Sequence, residues 1–426
     1  MNMNLSDSTQ TPHQYAALVG IDWADQKHAC SLQATGSERV ERYELENSPE
    51  AVEQWAAELA QRFSGRPVAV ALEQSRGAVV ARLTKYAHLV IYPVHSTVLN
   101  HYRAVFRPSG AVSDRRDADL ILDLLQHHRD QLQPLRPDTE PTRSLQFLVE
   151  DRRRLVDEKT RLSNRLTDSL KQVFPQVLQW FDDVASPLAG EFLLRWPTLA
   201  ELQQAPLPTV RHFLHQHNCR NQERIDQCLQ QIPTAIAASN DSALLLARNL
   251  AIRSHVRMIA ELRAAIASYD TTIAGIYKQH PDFFLIDSLP GAGAAMAPRI
   301  LAALGTDRDR FSSASEVQSF SGIAPVVKRS GKQRWVHWRW ACPKFIRQTF
   351  HEWASHSIPH SVWAREYYDE LREERKKSHH AAVRALAFKW IRILYRCWKD
   401  RKPYDEQIYL QARNRRNSPP SAATAA

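Results

Sequence analysis

The sequence predicts an α/β domain built on a mixed sheet, followed by a long helical arm and an all-α C-terminal domain. Three observations carry that fold class. Between residues 15 and 94, short apolar or alternating runs are separated by turn residues, the period-two pattern of strands. From about residue 141, apolar residues recur at helical and heptad spacing over long stretches. Near residue 283, "FFLIDSLPGAGAAMAPRILAALG" reads as helices joined by a Pro-Gly turn.

The elements follow in order. Residues 1–14 read as a flexible arm. "YAALVGIDWA", "HACSLQAT" and "RVERYELE" make an antiparallel meander with turns near Asp25 and Gly36. "SPEAVEQWAAELAQRF" is a helix with Ser48 as N-cap and Pro49 at its first position. "RPVAVALEQS" is a buried strand, a helix begins at Gly77, "HLVIYPV" is a further strand, and helices follow. The order βββαβα, then βα, is that of an RNase H-like domain over residues 15–140. A helical region spans 141–282, where Leu148, Leu155 and Leu162 stand seven apart and Leu166, Leu170 and Val173 extend the stripe. Ile252, Ile259, Ile266 and Ile273 hold a heptad, with Leu262, Tyr269 and Ile276 in the companion seam. Two such helices pair as an antiparallel coiled-coil arm or form a dimer interface. Residues 283–402 make the C-terminal domain, and 403–426 a tail whose end is expected to be disordered.

Composition narrows the function classes. The net charge is +10 and the pI about 9.4, so an anionic polymer is the expected partner. Between Ser321 and Lys402 there are 19 Lys and Arg against 7 Asp and Glu, an excess larger than that of the whole chain. Seven of the 11 tryptophans lie in the same stretch, a mixture suited to phosphate contact and base stacking. Trp390 and Trp398, in "AVRALAFKWIRILYRCW", are expected to be core. Five scattered cysteines form no C-x-x-C pair, which argues against a disulfide framework and a zinc ribbon. With no apolar leader and no membrane-length run, a cytoplasmic, nucleoid-associated protein is expected.

In this basic chain, the acids of the first domain stand out by position. Asp22 ends the first strand and Glu73 the later buried strand, and ligands of α/β sheets bind at the carboxyl ends of strands. Asp114 and Asp117, in "SGAVSDRRDADLILDLLQHH", are three apart and share a helix face, whereas Asp119 points elsewhere and reads as a surface acid. Carboxylates converging there need a cation, and Mg2+ takes such hard oxygen ligands. Two ions about 4 Å apart suit phosphodiester chemistry. The plain alternative is that these acids only cap helices and turns.

"GIDWA", "ALEQS" and "SDRRDADLI" resemble the three segments of the RuvC-like DEDD domain of bacterial insertion-sequence transposases, the bridge-RNA-guided recombinase family. The resemblance implies catalytic and metal-binding roles for Asp22, Glu73, Asp114 and Asp117, with Mg2+ as the expected cofactor and Mn2+ as the alternative. Ser113 stands where that family has Thr.

The C-terminal half carries a separate resemblance. Gly291 and Gly293 fit a G-x-G, but Met296 breaks a dinucleotide fingerprint, so a helix-hairpin-helix turn touching phosphate is the better reading. "FSSASEVQSFSGIAPVVKRSGKQRWVHWRW" is similar to the family's second domain: Gly322 and Pro325 match its G-x-x-P, and Ser330, Gly331 and Lys332 its Ser-Gly-x-Lys loop. That resemblance implies that Ser330 is the nucleophile that joins DNA, with Ser321 as the nearest rival. Lys328, Arg329, Lys332 and Arg334 would hold the phosphate. "HWRWACPKFIRQTF" departs from the family, with Trp340, Cys342 and Pro343 in place of small and basic residues; Arg339, Lys344 and Arg347 are the remaining nucleic-acid candidates. "HEWASH" spaces its histidines five apart, which does not fit a zincin helix, and His379 and His380 read as lying on a solvated or phosphate-facing surface.

The resemblance further implies DNA as substrate, a guide RNA, a homo-oligomer (dimer or tetramer), and strand exchange through a Holliday-type intermediate; the long arm between the two candidate sites is compatible with a composite active site. A site-specific DNA invertase of the same class, a RuvC-like Holliday-junction nuclease without a covalent step, and a non-catalytic nucleic-acid scaffold remain as alternatives.

Overall fold

The computed structural model describes residues 15–73, 77–106, 114–331 and 333–417. The expected N-terminal arm and the last nine residues of the tail lie outside them. The chain forms two compact units, Met1–Pro137 and Asp138–Ala426.

The first unit is a mixed sheet of five strands in the order β3-β2-β1-β4-β5. β1 (Ala17–Asp22), β2 (Lys27–Ala34) and β3 (Val40–Glu46) form the antiparallel meander, while β4 (Val68–Leu72) and β5 (Leu89–Pro93) run parallel to β1. All five residues of β4 are buried, as a central parallel strand covered on both faces requires. One face packs on α1 (Pro49–Arg62) and α2 (Ala78–Leu83) through Val19, Ile21, Val70 and Leu72. Ser48 caps α1 by accepting from the Ala51 N–H. The other face packs through Ala69 and Ala71 on α3 (Ser96–Phe106) and α4 (Asp114–His128).

Gly20 makes the α4 contact close. A Cβ there would stand 2.3 Å from the Ala118 carbonyl oxygen and 2.5 Å from the Leu122 nitrogen. Just past the other end of α4, the Arg129 guanidinium lies 5.3 Å over the ring of Tyr15, at the start of β1. α4 is therefore antiparallel to β1, and its first turn sits at the carboxyl end of that strand.

In the second unit, α5 (Glu140–Val173) and α11 (Ser242–Lys278) pack side by side and antiparallel, with Arg152 paired to Asp270 toward the start of α5 and the end of α11. The apolar stripe is buried at both ends of the pair and only half-buried at Leu155 and Ile266 between them. Each end enters a different core. Leu162, Leu166, Leu170, Ile252 and Ile259 join an aromatic cluster made by α6 (Val177–Trp180), α7 (Pro187–Arg195), α8 (Leu199–Gln204), α9 (Leu207–Gln216) and α10 (Gln222–Gln231). Leu145, Val149, Ile273 and Tyr277 join the C-terminal core.

That C-terminal core holds α12 (Phe283–Asp287), α13 (Gly293–Leu304), α14 (Ala314–Phe320), α15 (Lys344–Ser357), α16 (Val362–Glu373) and α17 (His379–Asp400), and α18 (Glu406–Asn417) follows. Trp353, Trp363, Trp390 and Trp398 are buried in it, as expected for the last two. Each indole N–H has a partner: the Pro290 carbonyl, the Tyr404 hydroxyl, the Ser357 hydroxyl and the Gly305 carbonyl, respectively. β6 (Val326–Ser330) and β7 (Gln333–His337) form an exposed two-stranded hairpin.

Replacing Gly20 with valine forces α4 off β1. Melting of the variant is expected to show a loss of about 1–3 kcal/mol, the usual range for an overpacked core.

Candidate active site

The first group of candidates gathers at one end of the sheet. The parallel register pairs Ile21 with Leu72, so Asp22 and Glu73 occupy the next step of two adjacent strands. Neighbouring strands lie about 4.8 Å apart. Asp22 follows Gly20 on the face that α4 covers, and the antiparallel course of α4 brings its first turn to the same end. Asp117 is buried there. Asp114 begins the helix, but its side chain lies outside the described residues.

Asp117 already has a cationic partner. Arg103, from the last turn of α3, meets it through both ends of the guanidinium: Nε to Oδ1 at 3.2 Å and a terminal nitrogen to Oδ2 at 3.1 Å. Arg103 also donates to Asn100 at 2.9 Å. The pair neutralises a carboxylate that burial would otherwise penalise. Among the described residues, no three His, Cys, Asp or Glu side chains gather as a metal-binding group.

Asp119 corrects the surface reading. Its carboxylate accepts from the Ser31 hydroxyl at 2.7 Å and from Arg42 Nε at 2.9 Å. It ties α4 to β2 and β3 and sets which helix face looks at Asp22.

The second group lies on the hairpin. The serine loop is the tip of a β-hairpin, with Ser330 opposite Gln333 and Gly331 at φ +56° in the two-residue turn. Lys332 lies outside the described residues. Ser330 is exposed. Ser321 is fully buried and its hydroxyl donates to the Gln318 carbonyl at 3.2 Å, so it offers no accessible nucleophile in this conformation.

Strand pairing sorts the basic residues by face. Ser330, Gln333, Lys328 and Trp335 share one face, while Arg329, Arg334, Val327 and Val336 share the other. Lys328 is thus the described basic residue on the Ser330 face of the ribbon. Trp335, Trp338 and Trp340 are all exposed, in contrast to the four core tryptophans. Trp338 fixes the base of the hairpin: Arg384 of α17 and Arg347 of α15 both lie over its ring.

The remaining candidates are spread over the C-terminal core. Gly291 has φ +69° and abuts the α15 backbone, where a Cβ would meet the His356 carbonyl oxygen at 2.5 Å. Its contact is packing between the α12–α13 turn and α15. Gly293, at φ +52°, faces open space. Lys344 is exposed at the start of α15, and Arg339 and Arg347 are half-buried beside it. Sequence reasoning missed Arg103, which stands in an ordinary basic last turn of α3, and Gly20, whose signal was a small residue two before Asp22.

Comparison with known proteins places both groups in one family. Residues 19–175 match the family described as "Transposase", the DEDD type of IS110 elements. Residues 284–369 match that described as "Transposase IS116/IS110/IS902 family". A Streptomyces coelicolor protein named "Mini-circle putative transposase for IS117" is 25% identical over 91% of this chain and 95% of its own length. The 42 kDa protein of insertion element IS900 from Mycobacterium paratuberculosis is 26% identical over 91% of this chain and 96% of its own. The 43.6 kDa protein of insertion element IS110 from Streptomyces coelicolor is 24% identical over 92% and 96%.

Asp119→Ala removes two bonds that anchor α4. Denaturant unfolding is expected to show a loss of about 1–2 kcal/mol, with no comparable loss in Arg116→Ala, whose side chain is exposed.

Proposed function

Because the chain belongs to the IS116/IS110/IS902 family of transposases, we propose that it moves its insertion sequence by metal-dependent cleavage and exchange of DNA strands, with Ser330 as the nucleophile. One observation carries the metal half of this reading: α4 runs antiparallel to β1 and brings its acidic first turn to the strand ends that bear Asp22 and Glu73. The five-stranded order β3-β2-β1-β4-β5 supports a RuvC-like assignment of this unit.

The donor set fits a hard divalent cation in kind, since Asp22, Glu73, Asp114 and Asp117 offer only carboxylate oxygens. These four would hold it, Mg2+ first and Mn2+ as the alternative. Such an ion supplies charge neutralisation and Lewis acidity at a phosphodiester. Arg103 keeps Asp117 neutralised until then, and its release frees both carboxylate oxygens.

The serine chemistry is a pair of exchanges at phosphorus. The Ser330 oxygen bonds to the scissile phosphorus while the bond to the departing strand's oxygen breaks, and that oxygen takes up the serine proton. In the second step a strand hydroxyl attacks the phosphoserine, the Ser330–phosphorus bond breaks, and the proton returns to Ser330. Exposure at a hairpin tip gives the hydroxyl access to a duplex, and Lys328 on the same face offers a cation to the phosphate. The basic, tryptophan-bearing stretch from Ser321 to Lys402 supports binding of element ends and a guide RNA. A homo-oligomer would bring two DNA strands to equivalent serines.

Ser330→Ala is expected to abolish recombination and the covalent protein–DNA adduct on denaturing gels while leaving DNA affinity within about twofold. Continued cleavage by this variant would instead favour a nuclease without a covalent step, and sequencing of co-purified RNA tests the guide. Arg103→Gln removes the cation that competes for Asp117. Its Mn2+ affinity, read by electron paramagnetic resonance, is expected to rise by roughly tenfold, the weight of about one nearby charge in a partly screened site.

A further inference from the structure

Beside the base of the hairpin, α15 and α17 bring three imidazoles and two guanidinium groups together. The rings of His351 and His380 lie 5.7 Å apart, and those of His379 and His380 lie 5.1 Å apart. The Tyr368 hydroxyl of α16 bonds His379 Nδ1 at 2.8 Å. Arg384 follows one turn after His380, lies over Trp338, and keeps Nε and a terminal nitrogen buried without a hydrogen-bond partner. The Arg347 guanidinium stands 5.9 Å from the same ring.

Among the described residues, no carboxylate forms an ion pair with any of these five side chains. Burial holds His351 below the ordinary imidazole range, and His380, Arg384 and His379 add repulsion. Burial, with Arg347, pushes Arg384 down to about 10. The neighbouring carboxylate of α15, Glu352, is taken by Arg299 and Arg153. The first turn of α17 has no acid, and Ser378 makes no side-chain cap. Concentrated positive charge with unfilled donors is satisfied by a polyanion, and the guanidinium cations beside the rings disfavour a metal.

We propose that His351, His379, His380, Arg347 and Arg384 form a cradle for a backbone phosphate of the DNA substrate, at the base of the hairpin. The part-exposed ring of Trp338 lies under Arg347 and Arg384, so a strand at the cradle meets an aromatic surface. The proposal rests on the family's action on DNA and not on the role of Ser330. A phosphate in the cradle offsets the repulsion on His351 and raises its proton affinity. Binding at this ring therefore takes up a proton and tightens as pH falls. The groups beside the imidazoles are Tyr368 from α16 and Arg384 from α17.

The test is fluorescence anisotropy of the full chain with labelled DNA of random sequence. Wild-type affinity is expected to rise roughly tenfold from about pH 8 to about pH 6. His379 and His380 are both exposed, so the H379Q/H380Q double variant keeps the fold, checked by melting. It should bind the DNA more weakly than the wild type at about pH 6, and its slope of log affinity against log salt should fall by about one to two. A double variant with the affinity, pH gain and salt slope of the wild type overturns the proposal. So does a loss confined to an RNA strand of the same length. Ser330 is not among the five cradle residues, so the cradle and the nucleophile stand or fall separately.

Discussion

The approach of α4 to β1 at Gly20 governs the first unit. Backbone meets side-chain-free backbone there, so the helix sits lower on the sheet than any larger residue would allow. Its rotation is then set by Asp119, held between Ser31 and Arg42. With height and rotation both fixed, the buried Asp117 is held at the end of the sheet where β1 and β4 finish.

The second unit solves a different problem. Its core is tied by four buried indoles whose N–H groups each reach a partner, all of them on loops or helix ends. A large aromatic core is thereby fixed in one arrangement and not merely collapsed. The hairpin stands outside that core, and Trp338, under two arginines, is its attachment. The long antiparallel helices do similar work at larger scale, each sharing its two ends between two cores.

Much of the layout was legible in the sequence because it rests on local chemistry. Ser48 and Pro49 mark a helix start by capping alone, and the unbroken apolar run of β4 announces a strand covered on both faces. Four of the seven C-terminal tryptophans are core, and helical spacing flagged two of them. What escaped were residues whose meaning lies across the fold. Asp119 looked like a surface acid because its partners are 88 and 77 residues away. Arg103 reaches Asp117 from a different helix, 14 residues away. The serine loop proved to be a ribbon because exposed strands lack the apolar alternation by which strands are recognised. The histidines gather only once α15 and α17 are packed.

The lack of a core beneath β6 and β7 has a dynamic meaning. An isolated two-stranded hairpin is marginally stable in water. Its amides can open and exchange by local fluctuation, while those in the middle of α17 wait for unfolding of the whole unit. The strand bearing Ser330 thus belongs to a separate, low-stability cooperative unit hinged at Trp338. Reshaping the hairpin around a duplex costs little, because none of the aromatic core has to yield.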